Sequence, residues 1–523
     1  MRIARSHCML PMMRKPSQPG LHTIASQRPL APAPAWIHDT QKATLNTFVA
    51  CALLLYLILP PNLDYGNLIA TANSTPTEQT ASLTSRIILI LLLLLSCTLI
   101  LRRPALWMAL LRTVNPFYTL FILLAAASVA WSIDTAVTLP HVFRLVVYFL
   151  CFSAFTLNGW RANRFQSVVR SLLGVVVVGS LIFALVLPQY GVQKFLDFAP
   201  VMHNAFSHSM TIAPDEKPVL RGLTFGKNQM GQLASLALVF WFHSWLGKET
   251  KTWLAAGVSA AALICLYWSH SSTSVLAAAF ALPFMLMLRH WPYWLRRYMP
   301  YMLTLFTILI LCYSLVVLRL FPQLDFLLWP ITAVTGKDLT FTNRTDVWHI
   351  VNAHIIQHPI LGTGYSAYWT EKLTSPSHET VRLLFFNPGQ AHNGYLDVIN
   401  DLGIVGGIVL IAFLFVFLRQ SLKMMTFDRH EASLYLALLF HQFWSSLSES
   451  HWFSWSSQAF TIITLAVFTS ARTLLQHRID VAAANTAPMS TGAEDTASLA
   501  TLATDLRRAP SPRARPRGES YSR

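Results

Sequence analysis

Runs of roughly 20 mostly apolar residues, the length a helix needs to cross a bilayer, recur twelve times: 44–60, 85–101, 113–131, 138–156, 167–187, 226–246, 252–268, 271–288, 300–320, 394–418, 431–449 and 452–470. Two pairs, 252–268 with 271–288 and 431–449 with 452–470, are joined by almost nothing. The pattern predicts an all-α polytopic membrane protein of about 12 transmembrane helices. A large loop containing short helices separates the ninth and tenth spans.

Composition agrees. Of 523 residues, 54% are hydrophobic and 12% charged, and the mean hydropathy is +0.46. Soluble domains carry about 25% charged residues, so a multi-domain cytosolic enzyme, a fibrous repeat and bulk disorder are excluded. A net charge of +16 would point to nucleic acid if the cations shared one face. They sit instead in short clusters between apolar runs. With a cytoplasmic N-terminus, the inward segments hold 28 of the 39 Lys and Arg, as the positive-inside rule requires. Both termini are therefore expected in the cytoplasm, and the long segments 188–225 and 321–391 outside it. Residues 1–42 and 471–523 read as disordered basic tails around a membrane domain at 43–470. The only apolar patch of the first tail, Cys8 to Met13, is broken by Pro11 and is too short for a signal-peptide core.

Cys8, Cys51, Cys97, Cys151, Cys265 and Cys312 show no CxxC or Cys/His spacing, and read as small apolar residues rather than a disulfide or zinc framework. His349, His354 and His358 have no carboxylate in metal-ligand spacing, so no metal is expected.

A connection of about 70 residues is unusual unless it has a function. Within 321–391, Val347, Val351 and Ile355 recur at i, i+4 and i+8 alongside Trp348. They predict an amphipathic helix started by Thr342/Asn343 and stopped by His358-Pro359. Gly362 and Gly364 follow, then His392 and Asn393 at the mouth of the tenth span, where Gly403, Gly406 and Gly407 are expected to allow close helix contact. Arg221 and Lys227 precede the sixth span, where a helix N-terminus already favours an anion. With Arg344 they make a candidate diphosphate pocket. Snorkelling cations, or an Arg344–Asp346 salt bridge, account equally for the spacing. The run SHSSTS at 269–274 places hydroxyls at a tight outer turn, where helix capping is the simplest account. A ring at a helix start is disfavoured from carrying positive charge, which suits His392 to a general base as well as to a cap.

The order of these motifs resembles the O-antigen ligase/polymerase superfamily: RGLTFGKNQMG (Arg221 to Gly231), NRTDVW (Asn343 to Trp348), PILGTGYSAYW (Pro359 to Trp369) and AHNGYLDVINDLGIVG (Ala391 to Gly406). The stretch WSIDTAVTL from Trp131 continues the resemblance, and KN followed by SHSSTS is most similar to the ExoQ-type, Wzy-like exopolysaccharide polymerases. The family usually has Gly where this chain has Asn343.

The resemblance implies a metal-independent glycosyltransferase of the bacterial inner membrane, without cofactor, acting on its periplasmic side. Donor and acceptor would be polyprenyl-diphosphate-linked oligosaccharides, with a flippase and a chain-length regulator as further partners and no nucleic acid. Arg221 and Arg344 would hold the donor diphosphate and His392 would activate the acceptor hydroxyl. Lys227, Asn228, Asp346, Trp348, Asn393 and Tyr395 would line the substrate. A ligase moving a finished glycan to lipid A-core or protein shares this chemistry. A transporter or flippase is the alternative of another class, but transporters place ionisable residues near the midplane, and here Arg144 is the main such candidate.

Overall fold

A computed structural model describes residues 41–58, 83–157, 164–195, 217–290, 344–370 and 388–486, with scattered positions at 298–308 and 376–378. The expected span 300–320 lies almost entirely outside them, as do most of both tails. Contacts group the described residues up to His477 into one unit, and 478–486 fall in a second.

The apolar runs are helices: α1 Gln41–Ile58, α2 Leu83–Leu101, α3 Pro104–Leu111, α4 Pro116–Ala127, α5 Thr135–Leu157, α6 Arg164–Val186, α7 Lys227–Leu246, α8 Thr252–Trp268, α9 Ser272–His290, α10 Arg344–Gln357, α11 Gly394–Met424, α12 Arg429–Ser445 and α13 Gln458–Thr486. Five of them (α5, α6, α9, α11 and α13) are long and apolar enough to cross a membrane, and α2 with α3 makes a sixth if that pair, bent by 101°, is one span. Helices α1, α4 and α8 are apolar but shorter. Lipid-facing rows such as Leu91, Leu94, Ile404, Ile408 and Ile411 stay exposed, as expected where the surroundings are hydrocarbon.

Four features depart from the pattern. Residues 188–225 are not wholly helical: strands β1 Val192–Phe195 and β2 Lys217–Leu220 pair antiparallel, Val192 opposite Leu220 and Phe195 opposite Lys217. The ribbon pairs the backbone of a loop whose Val219 and Leu220 are buried and whose polar groups would otherwise lack partners. The last span begins at 458, not 452, because 446–457 is an ordered loop pinned by aromatic burial. Phe453 stacks on Phe121 with centroids 3.7 Å apart, Trp452 is buried, and the Tyr365 hydroxyl donates to the Phe453 carbonyl at 2.7 Å. At its other end α13 continues past 470, with Ala471 and Leu474 buried. The core beneath is tied across helices: Asn115 caps α4 through the Phe117 amide and donates to the Phe413 carbonyl of α11 at 2.8 Å.

The fourth departure concerns the glycines of α11. Gly403 has φ 63° and breaks the helix; a Cβ there would run into the Ile360 carbonyl. Residues 359–364 lie against the break: Ile404 donates to the Pro359 carbonyl at 2.9 Å and Gly364 to the Asp401 carbonyl at 2.9 Å. Gly362 (φ 64°) touches the same backbone from the other side. Gly403 thus serves a loop and not a neighbouring helix, and the nearest atoms to Gly406 and Gly407 belong to their own helix.

Gly403→Ala is therefore expected to destabilise. At φ 63° and ψ −164° the backbone is in a region essentially reserved for glycine, costing another residue about 1–3 kcal/mol, and the collision with Ile360 adds to it. Gly257→Ala, in α8 with open space beside it, should be neutral or stabilising by up to about 1 kcal/mol. Melting midpoints of the purified protein in detergent compare the two.

Candidate active site

The start of α11 explains why the sequence around His392 looks as it does. Asn393 is the N-cap, its Oδ1 accepting from the Tyr395 and Leu396 amides, while its own amide donates to Ser450 Oγ at 3.3 Å. One turn on, Asp397 accepts from the Ala391 amide, from Trp369 Nε1 at 2.9 Å, and from Ser450 Oγ. Asn400 bonds His354 of α10 at 2.9 Å, and Asp401 accepts from the Ser366 amide at 2.8 Å. Trp348 of α10 donates to the Ala391 carbonyl at 2.9 Å and packs with Val347, Val351, Tyr368 and Leu396. All these bonds hold the chain on both sides of His392. Its own φ is 51°, a conformation uncommon outside glycine that accumulates at functional sites.

Glu449, on the loop between α12 and α13, is the carboxylate these elements close around. Its Oε1 accepts from Arg344 Nη2 at 2.9 Å and Asn228 Nδ2 at 2.8 Å. Its Oε2 accepts from Gln390 Nε2 at 3.2 Å and lies 3.4 Å from His392 Nδ1. Arg344 also donates to the Ser448 carbonyl, and Ser448 Oγ meets Thr273 Oγ1 of the SHSSTS turn. Burial would raise the Glu449 pKa, but the adjacent Arg344 and His392 outweigh it and hold the carboxyl well below the usual range. Neighbouring His451 shows the reverse balance: burial pushes it down to about 4 in spite of Glu449, so it is neutral near pH 7.

Arg221 sits on the turn between β2 and α7. Its amide and that of Gly222 donate to the Gly191 carbonyl, and its Nε donates to the Tyr190 carbonyl at 3.1 Å. Gly222 has φ 56° and lies against Ser180, whose Oγ accepts from the Leu223 amide. The strand pair thus fixes the arginine just before α7, whose first turn carries Lys227 and Asn228. Within that turn Gly231 faces Ser269 and Ser271, leaving no room for a side chain.

Arg344, His392 and Asn228, singled out from separate motifs, converge on one carboxylate; Lys227 shares the first turn of α7 with Asn228, and Arg221 sits on the turn before that helix. Others of the expected substrate-lining set do different work. Tyr395 is buried with its hydroxyl on the Phe443 carbonyl at 3.3 Å, Asn393 is a cap, and Trp348 is a loop clamp. Asp346 is exposed at the start of α10; the carboxylate that pairs with Arg344 is Glu449 instead. Glu449 escaped the sequence reading because 431–449 read as a span, and Gln390 because no charge or spacing set it apart within the long loop. A glutamate among apolar helices is costly without a partner, and that cost was the available signal.

A second charged cluster gathers residues at the other ends of these helices. Glu249 pairs with Arg170 at 3.2 Å and with His430 at 3.4 Å, and His430 Nδ1 accepts from Arg289 at 2.6 Å. His243, Glu249 and His430 offer ligand atoms within 4.8 Å of one another. The two imidazoles, however, lie parallel with centroids 3.8 Å apart, so an ion in the plane of one ring is far from the plane of the other. The donors do not fit a shared metal.

Residues 256–411 match the O-Antigen ligase family, a segment that carries Arg344 and His392 but not Arg221 or Glu449. The chain is also similar to the exopolysaccharide production protein ExoQ of Rhizobium meliloti (strain 1021), with 30% identity over 233 residues, 42% of this chain and 52% of that one. It thus spans about half the length of this relative. With the ordered motifs and the clustered side chains, these matches support a relationship to the O-antigen ligase/ExoQ-type superfamily.

Proposed function

We propose that this chain is an inner-membrane glycosyltransferase that polymerises polyprenyl-diphosphate-linked oligosaccharide repeats into exopolysaccharide at the periplasmic surface, with twelve spans and both termini cytoplasmic. The observation that carries the reading is the convergence of Arg344, Asn228 and His392 on Glu449, with Lys227 next to Asn228 in the first turn of α7. No nucleotide donor exists outside the cytoplasmic membrane, so the energy for transfer must arrive in a lipid-linked diphosphate. As the acceptor hydroxyl attacks the anomeric carbon, the bond to diphosphate breaks and negative charge develops on the leaving group. Fixed guanidinium groups in a low-dielectric site stabilise that charge, so Arg221 and Arg344 meet it without a metal or cofactor. His392 takes the hydroxyl proton. Lys227 and Asn228 line the donor side, and the lipid tail enters laterally between helices.

A ligase of the same superfamily would use the same groups on a different acceptor. The similarity to a protein named for exopolysaccharide production favours the polymerase. Gel analysis of surface glycans after deletion of the gene separates them: single-repeat products are expected for a polymerase, whereas full-length polymer trapped on the lipid carrier would establish the ligase.

Arg221→Lys and Arg344→Lys keep the charge and remove the planar fork. Each is expected to lower polymer formation about 10²-fold, the effect of losing one pre-aimed donor to a developing anion, with protein levels near wild type. Arg344→Ala is the poorer test, because stranding buried Glu449 without its partner costs about 3–5 kcal/mol. Wild-type polymer from both Lys variants would refute the diphosphate assignment.

A further inference from the structure

We infer that Glu449 is the positioning residue of the transfer reaction: through one carboxylate it aims the His392 imidazole and seats the Arg344 guanidinium. The inference rests on the reading of His392 as the base and deepens it.

The argument begins with which atoms can donate. An ionised carboxylate only accepts, and the adjacent Arg344 guanidinium favours the ionised form of Glu449. Its Oε2 lies 3.4 Å from His392 Nδ1 and 3.2 Å from Gln390 Nε2. Gln390 Nε2 also lies 3.2 Å from Nδ1 and, as an amide N–H, could only donate to it, so the contacts fit either tautomer; a base at Nε2 requires the one in which Nδ1–H and the Gln390 amide each donate to Oε2. That tautomer leaves the Nε2 lone pair of His392 available to take a proton. When it does, the imidazolium forms beside a negative charge, the arrangement by which a third group orients a catalytic base and stabilises its protonated form.

The other oxygen, Oε1, holds Arg344 and Asn228. One rigid group therefore sets the distance between the base and a cation assigned to the leaving group. The loop can impose this because it is itself fixed, by Trp452 and Phe453 in the core, by Arg344 on the Ser448 carbonyl, and by Ser450 between Asp397 and the Asn393 amide. Glu449 is not required to touch substrate. The charged and titratable groups that bear on the pair are Arg344 from α10, Asp397 from α11 and His451 from the same loop.

The test measures the initial rate of polymer formation by the purified full-length protein, with a lipid-linked oligosaccharide repeat as donor and acceptor, across pH 5 to 9. Glu449→Gln keeps the shape and removes the charge. It is expected to lower kcat about 10²-fold or more, to leave KM for the lipid-linked repeat within a few-fold, and to move the acidic limb of the pH–rate profile to lower pH. The shift has this sign because an imidazole that has lost its neighbouring negative charge gives up its proton more readily. Glu449→Asp keeps the charge but withdraws it by one methylene, so its rate should fall while the acidic limb stays in place. Glu449→Gln within two-fold of wild type with an unmoved profile overturns the inference, as does a loss confined to KM. A Glu449→Asp enzyme with the wild-type rate overturns it independently, should the Gln variant not accumulate. His392→Ala separates this from the broader reading. If that variant polymerises normally, His392 is not the base and the proposed mechanism fails. If it is inactive while Glu449→Gln is active, only the role of Glu449 is refuted.

Discussion

A buried negative charge between membrane helices is tolerated only if donors surround it, and this requirement organises one end of the molecule. Glu449 collects Arg344 from α10, Gln390 and His392 from the segment entering α11, and Asn228 from α7. Those segments are more than 200 residues apart at the extremes, with |i−j| of 221 between Asn228 and Glu449. None could leave without exposing a carboxylate to an apolar surrounding. The carboxylate therefore acts as a cross-link among loops that have no sheet or disulfide to unite them among the described residues.

Around that centre the polar residues divide into those that hold and those that face the site. Asn393, Asp397, Asn400 and Asp401 lie on the first two turns of α11 and direct their side chains at loop backbone or loop side chains. They form a rack on which residues 359–370 and 391–392 are hung. The break at Gly403 serves the same end, since it opens α11 so that the Pro359 and Ile360 carbonyls can accept from its amides. A run of conspicuous polar residues can thus read as a reactive centre when most of it is the frame for one histidine.

The two charged clusters differ in kind. Around Glu449, the imidazole, amides and guanidinium approach a common point from separate loops. Around Glu249, the stacked His243 and His430 rings and the Arg170 and Arg289 guanidiniums engage one another, backbone carbonyls and Ser244. That second set ties α6, α7, α9 and α12 together. Its members lie at the end of α7 and the start of α12, whereas the Glu449 set lies at the start of α7 and beyond the end of α12. The separation follows from the bilayer itself, which drives charge to helix ends.

How much of this was legible in the chain depends on the range of the interaction. Helix positions were readable because the hydrophobic period is a local property: α7, α8 and α9 match their expected spans within two residues. The helix Arg344–Gln357, its stop at His358-Pro359, and the unusual backbone at Gly362 and Gly364 were readable for the same reason. His392 could be singled out at the end of an apolar run and Arg344 in the long loop, while Asn228 was marked only by the family resemblance. Their common partner could not be singled out. From neighbouring residues Asp346 was as good a mate for Arg344 as any, and Glu449 was hidden at the edge of an apolar run. Which carboxylate meets which cation is decided by packing between helices that are distant in sequence. So, too, is whether Gly403 serves a helix contact or a loop, and whether Tyr395 faces substrate or core. Local pattern dictated the helices; burial, which makes each charge and each amide find a partner, chose how they met.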